Sequence, residues 1–167
     1  MPSLPPPFGP LPYRTCSHTP VSVWFTEPAG YFTRFTADCP LERAGAEFII
    51  ESFAQGMQQS AGESWPRKLM FVHDWARITR VDPQAKSVLM EWAHAIREHV
   101  ASVDFVLAAD ASVFIRMAAT VAESSLATIG IAVRSHYGKS QVEVLTSLQM
   151  RLRSGPPASM RVREAAP

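Results

Sequence analysis

The amino-acid sequence predicts one α/β domain, in which an N-terminal β-hairpin precedes alternating helices and strands in one mixed sheet. Three observations predict it. Two runs rich in aromatic and β-branched residues flank a Pro-Ala-Gly turn, and segments with helical periodicity then alternate with short apolar runs. The chain has 167 residues, of which 47% are apolar and 19% charged, as in a single folded domain. The alternation favours parallel strands with right-handed connections.

Both ends of the chain are expected to lie outside this domain. Residues 1–20 contain seven of the 14 prolines, so residues 1–19 are predicted to form an extended, proline-rich arm. Residues 153–167 show no periodicity and are predicted to be a disordered tail. The predicted domain therefore spans residues 20–152.

The hairpin is predicted from two neighbouring segments. In residues 21–25 the side chains of Val21, Val23 and Phe25 alternate onto one face. The Pro28-Ala-Gly segment supplies a turn, and residues 31–36 return as an antiparallel strand.

Four helices are predicted from apolar residues at helical spacing. The first spans residues 40–60, with Pro40 in its first turn. The second begins at Asp82-Pro83, an N-cap followed by proline at the first helical position, and its apolar stripe runs to Val100. The third runs from Ser112 to about residue 127, and the last spans residues 140–151 with Leu152 in step.

Three further strands are predicted from continuous apolar runs, which are typical of strands buried on both faces. They span residues 69–72, 104–109 and 130–133.

Polar side chains follow these strands at their carboxyl ends, where ligands bind in open α/β sheets. These are His73, Asp74, Asp110 and His136. Two histidines and two aspartates could form a metal site or an acid–base pair, or a site for another small ligand. Alternatively, the aspartates cap the following loops and helices by accepting backbone N–H groups, which is the interpretation that we favour.

Other motifs do not meet the spacing that their chemistry requires. Gly138-Lys139-Ser140 resembles the end of a phosphate-binding loop, but the first glycine of that loop would fall at Val133. There is no Gly-x-Ser-x-Gly elbow, and Cys16 and Cys39 cannot form a multi-cysteine zinc site. We therefore expect no catalytic residue, no metal and no cofactor.

The helix at residues 112–127 is unusually poor in charge, with only Arg116 and Glu123. We expect Val113, Met117, Val121 and Ala122 to face the sheet, which leaves Phe114, Ala118 and Ser125 on the other side. That side is covered by the arm or another helix of the same chain, or it is a contact surface for a second copy or another protein. Phe8 and Tyr13 of the arm are further candidate contact residues.

A resemblance to a known family rests on one unit of the sequence. The segment Phe71-Val-His-Asp-Trp-Ala-Arg-Ile-Thr-Arg-Val-Asp82, a following helix and the Asp104-Phe-Val-Leu strand resemble STAS-type domains, which include the anti-sigma-factor antagonists and their SpoIIAA-like relatives. The resemblance implies a STAS-like fold and a non-catalytic binder of regulatory proteins. Some of these domains are switched by phosphorylation of a serine at the start of that helix. The matching positions here are Pro83 and Gln84, so the switch residue is absent.

The sequence thus predicts a non-enzymatic interaction or adaptor module that binds itself or another protein through an apolar helix face, with its arm as a second candidate contact. A small-ligand or enzymatic site at the strand edge is the alternative. A net charge of +1 argues against nucleic acid and anionic membranes as partners, and no apolar run is long enough to span a bilayer. The absence of a signal sequence favours the cytoplasm, and 13 arginines against three lysines are typical of a GC-rich bacterial genome.

Overall fold

The computed structural model describes residues 11–61 and 68–156. Nine strands and four helices are found in these ranges. The strands are β1 (Arg14–Thr15), β2 (Val21–Glu27), β3 (Gly30–Phe35), β4 (Cys39–Leu41), β5 (Leu69–Asp74), β6 (Ile78–Val81), β7 (Val100–Leu107), β8 (Ala132–Tyr137) and β9 (Arg151–Arg153). The helices are α1 (Arg43–Ala61), α2 (Pro83–Ile96), α3 (Val113–Thr128) and α4 (Gln141–Ser147), and a 3₁₀ turn at Arg97–His99 follows α2.

One mixed sheet contains seven of these strands in the order β1-β2-β3-β5-β7-β8, and β9 also pairs with β2. The hairpin partners β2 and β3 are antiparallel, whereas β3, β5, β7 and β8 run parallel to one another. The predicted α/β fold with an N-terminal hairpin and a mixed sheet is therefore confirmed.

The helices cover the two faces of the sheet unequally. On one face, the larger core cluster joins β2, β3, β5 and β7 to buried side chains of α1, α2 and α3. On the other face, a smaller cluster packs α4 against the sheet through Trp24, Phe32, Val72, Val106, Val144, Leu145 and Met150. The face with three helices is the one that carries the cavity described below.

Helix α1 lies unusually close to the hairpin. A Cβ atom at Gly56 would lie 2.1 Å from the ring of Phe25, so only glycine fits there. The hydroxyl of Tyr31 donates to the carbonyl of Ile49 at 2.9 Å, which satisfies a buried phenol.

The start of the first helix differs from the prediction. Pro40 lies in β4, which pairs in parallel with β6 to form a separate two-stranded sheet, and α1 begins at Arg43. Proline is tolerated in such a short edge strand because its missing N–H need not enter a ladder. Strand β6 was not predicted, since two of its four residues are exposed and its pattern resembles a loop.

The C-terminal helix is shorter than predicted. It ends at Ser147, and Gln149 has a φ of 56°, a left-handed conformation that stops the helix. Leu152 therefore belongs to β9, which pairs with Thr26 of β2. The apolar stripe predicted for the second helix extended beyond the end of α2, because Val100 is the first residue of β7.

The predicted helix starts at Asp82, Ser112 and Ser140 are confirmed. Oδ1 of Asp82 accepts from the N–H of Gln84 at 2.7 Å, and Oγ of Ser112 accepts from that of Ile115 at 3.3 Å. Ser140 and Glu143 form a reciprocal capping box at the start of α4. Lys139 and Ser140 thus belong to a helix cap.

Part of the predicted N-terminal arm contacts the domain. The backbone N–H groups of Tyr13 and Cys16 donate to the carbonyls of Val23 and Val21, at 2.8 and 3.0 Å, and so place β1 beside β2. The ring of Tyr13 packs edge-on against Phe25, with 5.2 Å between centroids. Phe8 lies outside the described residues.

Candidate functional site

The four polar residues predicted at the strand edge do not form one cluster. His73 and Asp74 are consecutive in β5, so their side chains point to opposite faces of the sheet. Asp110 is exposed in the turn after β7, and His136 lies within β8 rather than after it.

His136 belongs to a network around Asp104, a residue that the sequence analysis had placed only in a strand. The carboxylate of Asp104 is fully buried and lies 2.8 Å from Nε2 of His136. It also accepts from Arg134 at 2.9 and 3.1 Å and from the hydroxyl of Ser102 at 3.2 Å. The sequence contains one signal for this network, an aspartate inside an apolar run. A carboxylate buried in a strand requires hydrogen-bond or charged partners nearby.

Asp74 has a structural environment. Its carboxylate accepts from the backbone N–H of Ala76 at 3.0 Å and lies 3.8 Å from Arg34. Burial raises the pKa of this carboxyl, and the hydrogen bond from Ala76 and the charge of Arg34 oppose that rise. This geometry matches the capping interpretation of Asp74.

His73 faces the layer of α1, α2 and α3. Its Nδ1 lies 2.8 Å from the hydroxyl of Thr33, and its ring is flanked by Phe71 and Phe105, with centroids 6.2 and 5.9 Å away. Burial lowers the pKa of His73 to about 4, and the negative charge of Asp104 opposes this shift. The imidazole is therefore neutral at pH 7.

A cavity of about 430 Å³ lies between α2, α3 and the sheet, and His73 is part of its wall. Most of its lining is aliphatic or aromatic. From the sheet and loops come Leu41, Phe71, His73, Trp75, Val81, Val100, Val103, Phe105 and Ile131; from the helices come Ile49, Pro83, Lys86, Leu89, Met90, Trp92, Ala93, Ile96, Phe114, Met117, Ala118, Val121, Ala122 and Leu126.

The cavity exists because α2 and α3 do not close over the sheet. The apolar side chains of Leu89, Met90 and Trp92 on α2 are only partly buried, although they point toward the core. On α3, the residues that reach the sheet are Ile115, Ala119 and Leu126.

The orientation of α3 corrects the sequence analysis. Val113, Met117 and Val121 were expected to face the sheet, but they are 69%, 60% and 41% exposed. The apolar pattern of this helix continues around most of its circumference, so periodicity could not identify the buried side. Ala122 is partly buried, as expected for a residue facing inward.

The exposed apolar face of α3, formed by Val113, Phe114, Met117 and Val121, is called the α3 outer face below. Phe114 is 79% exposed, which is more than Tyr137 or any other large apolar residue of the described ranges. Ala118 and Ser125 are partly buried, and Ala118 lines the cavity together with Phe114, Met117 and Val121 of this face. Large exposed apolar groups in one contiguous patch mark an interaction surface.

Both charged residues of α3 are held by contacts within the domain. The guanidinium of Arg116 donates to the carbonyls of Ala109 and Ala111, at 2.7 and 3.0 Å, and lies over the ring of Tyr137. The carboxylate of Glu123 accepts from the hydroxyl of Ser135. Neither charge lies on the α3 outer face.

The hydroxyl groups of α3 are also turned toward the helix. Each donates to the carbonyl four residues earlier: Thr120 to Arg116, Ser124 to Thr120, Ser125 to Val121 and Thr128 to Ser124, at 2.7 to 3.0 Å. This arrangement satisfies hydroxyl donors without water. The outer side of α3 can therefore contact an apolar surface without leaving these hydroxyl donors unpaired.

Residues 11–61 and 68–156 contain no group of three or more histidine, cysteine, aspartate or glutamate side chains placed to hold a metal ion. In the same ranges, no helix has the length and apolar character required to cross a membrane. No family model, curated protein or solved structure matches the chain.

Proposed function

We propose that this protein is a non-enzymatic interaction module that associates with a second copy of itself through the α3 outer face. The observation that carries the proposal is the exposure of Val113, Phe114, Met117 and Val121 on a helix whose charges and hydroxyls are bonded within the domain. Burying such a face against another protein removes apolar surface from water and leaves few polar groups without partners.

A second copy is the partner that this chemistry favours. In a twofold dimer, the same patch contacts itself, so a charge near the axis would face the same charge of the other copy. The α3 outer face has no formal charge, and Arg116 and Glu123 lie to one side of it, engaged with Ala109 and Ser135. Two copies of α3 can therefore pack together without electrostatic repulsion.

The cellular role and location of the protein are part of the same proposal. We assign the protein a regulatory or adaptor role in a bacterial cytoplasm. The excess of arginine over lysine supports a bacterial source, and the net charge of +1 argues against nucleic acid and anionic membranes as partners. The STAS-type resemblance supports a role in protein binding, with Pro83 and Gln84 in place of the phosphorylated serine.

The test is a change of one exposed residue that the fold does not need. Val113→Glu places a carboxylate in the first turn of α3, where the helix dipole favours a negative charge, so folding should be retained. In a dimer the same charge would be buried without a partner. We expect light scattering coupled to size-exclusion chromatography to show a dimer for the wild type and a monomer for Val113→Glu.

The matched control is Ala54→Glu, which adds the same charge at an exposed position of α1. This variant should remain dimeric. A wild-type protein that is monomeric throughout the micromolar range would refute the proposal, as would a dimer that both substitutions leave intact.

A further inference from the structure

The cavity between α2 and α3 has the properties of a small-molecule site, and it shares Phe114, Met117 and Val121 with the α3 outer face. Its volume of about 430 Å³ lies in the range of roughly 300–1,000 Å³ that is typical of such sites. Val113 belongs to the outer face and is not part of the cavity lining, whereas His73 belongs only to the lining. A substitution at His73 therefore changes only the cavity, and one at Val113 changes only the outer face.

The polar groups of the lining are all hydrogen-bond donors. Besides His73, they are the indoles of Trp75 and Trp92 and the ammonium of Lys86. Among the described lining residues, no side chain is a carboxylate, an amide or a hydroxyl. A ligand that complements this cavity must accordingly bring an acceptor.

The hydrogen bond from Thr33 determines which His73 nitrogen is protonated. In the described ranges, the one side-chain partner of the Thr33 hydroxyl is Nδ1 of His73, at 2.8 Å. If the hydroxyl donates to Nδ1, both groups are satisfied and the proton of the neutral ring is on Nε2. The opposite assignment would leave the hydroxyl proton of Thr33 without an acceptor, which is costly for a buried residue. We therefore assign Nε2 as a donor.

The interior of the cavity favours a neutral ligand. His73 is uncharged at pH 7 because burial lowers its pKa to about 4. Lys86 is exposed, so its charge remains in contact with water. A carboxylate inside the cavity would lose its hydration without meeting a buried positive charge, and this is strongly unfavourable.

From this geometry we infer that the cavity binds an uncharged, largely apolar small molecule whose single carbonyl oxygen accepts a hydrogen bond from Nε2 of His73. The apolar part lies among the side chains of α2 and α3, which are only partly buried in the free protein. This site goes beyond the proposed self-association, which uses three of the same residues, Phe114, Met117 and Val121.

The test is isothermal titration calorimetry with 2-nonanone, an apolar chain with one carbonyl, and with nonanoate, a chain of the same length with a charged head. We expect saturable binding of one 2-nonanone per chain, and weaker binding of nonanoate. His73→Phe keeps an aromatic ring beside Phe105 but removes the donor, and it should weaken 2-nonanone binding roughly 5- to 10-fold. The control His18→Phe, at an exposed position, should leave the affinity unchanged.

Two cavity-filling variants locate the bound ketone. Ala122→Phe on α3 and Ala93→Phe on α2 place a ring in the cavity from opposite walls, and each that melts cooperatively should lose 2-nonanone binding. Absence of saturable binding to both the wild type and the monomeric Val113→Glu variant, equal affinity in His73→Phe, or nonanoate binding as tight as that of the ketone would overturn the inference.

The same titration on Val113→Glu keeps the two proposals apart. Because Val113 is outside the lining, a monomeric Val113→Glu variant should still bind 2-nonanone, and at least as tightly as the wild type, whose dimer contact covers Phe114, Met117 and Val121 of the lining. Absence of ketone binding in both the wild type and a monomeric Val113→Glu variant would refute only the ligand site, and ketone binding by a monomeric wild type would refute only the self-association.

Discussion

Arg134 donates two hydrogen bonds to the buried carboxylate of Asp104 on the neighbouring parallel strand, with Nε 2.9 Å from Oδ1 and Nη2 3.1 Å from Oδ2. The two residues are register partners in β7 and β8. The arginine side chain is 54% exposed, whereas the aspartate is completely buried. The exposed arginine thus neutralises a charge that the sheet holds away from water.

Arg134→Ala should therefore destabilise the fold by about 3 kcal/mol, because it leaves the Asp104 carboxylate buried without its charged partner. Arg134→Lys should restore part of this loss, since lysine keeps the charge but not the two-pronged geometry. Urea unfolding measures both. As the control, Arg43→Ala removes the exposed pair with Glu47 and should change stability very little. Equal effects of the alanine substitutions at Arg43 and Arg134 would contradict this account.

The close contact between α1 and the hairpin predicts an unusual effect of alanine. Gly56→Ala should gain about 1 kcal/mol of helix propensity, yet its Cβ would lie 2.1 Å from the ring of Phe25. Forcing these groups apart costs more than that gain, so we expect a net loss of at least about 1 kcal/mol in chemical unfolding.

Gly45→Ala is the matched substitution in the same helix. The nearest atom to its Cβ would be Cγ2 of Thr19, at 3.3 Å, and Leu41 would lie at an ordinary contact distance of 3.7 Å. This variant should be neutral or slightly more stable. If Gly56→Ala were as stable as Gly45→Ala, the described packing of Phe25 on α1 would be wrong.

The capping box of α4 should contribute measurably to stability. Ser140→Ala removes the acceptor for the N–H of Glu143 and should cost about 1 kcal/mol in thermal or urea unfolding. Ser124→Ala removes a hydroxyl that bonds to its own helix in α3, and alanine is the better helix former there, so little loss is expected. A loss at Ser124 as large as that at Ser140 would argue against the cap.

The sequence predicted the elements that local interactions determine better than those that depend on distant partners. The hairpin and the starts of α2, α3 and α4 were predicted correctly, because capping side chains such as Asp82 and the alternation in β2 act locally. Strands β6 and β9 depend on pairing with distant partners, as Leu152 does with Thr26. Local patterns contain no information about such partners.

The site was less predictable for a related reason. Phe114 and Ala118 were identified from the low charge of α3, but the side of the helix that faces the sheet depends on how α2 and α3 are spaced. The cavity results from that spacing, and His73 enters it because β5 has a particular register with Thr33 and Phe105. The STAS-type identity stays a prediction.

The environment of His73 predicts a specific dependence of stability on pH. The unfolded histidine binds a proton near pH 6.5, but the folded one binds it only near pH 4. Between these values the unfolded state binds more protons, so this group's contribution is complete above pH 6.5 and is lost as the pH falls to about 4. The loss is about 3 kcal/mol at most.

Urea unfolding at pH 7 and pH 4.5 should show the effect as a difference between variants. His73→Phe should lose less stability on acidification than the wild type, because the contributions of the other acidic groups cancel in the comparison. His18→Phe, which changes an exposed histidine, should follow the wild type. Parallel behaviour of all three proteins would show that His73 is not held neutral by burial.

The last prediction concerns the segment that joins the N-terminal arm to the domain. Tyr13 packs on Phe25, and its hydroxyl donates to Gln59 at 3.0 Å. Arg14 reaches α1, where it donates to Ser52 at 3.1 Å and lies 5.0 Å above the ring of Phe48. These contacts indicate that the folded unit begins at Tyr13 rather than near Val21.

Tyr13→Ala should therefore destabilise the domain by about 2 kcal/mol, because it removes a partly buried ring and an aromatic pair. Leu11→Ala changes a side chain that is 73% exposed and should have almost no effect. Deleting residues 2–12 should likewise leave the melting temperature nearly unchanged, whereas deleting residues 2–16 removes β1 and should lower it clearly. If Tyr13→Ala reduced self-association while leaving the melting temperature unchanged, Tyr13 would be a contact residue of the interface, and its packing on Phe25 would not support the fold.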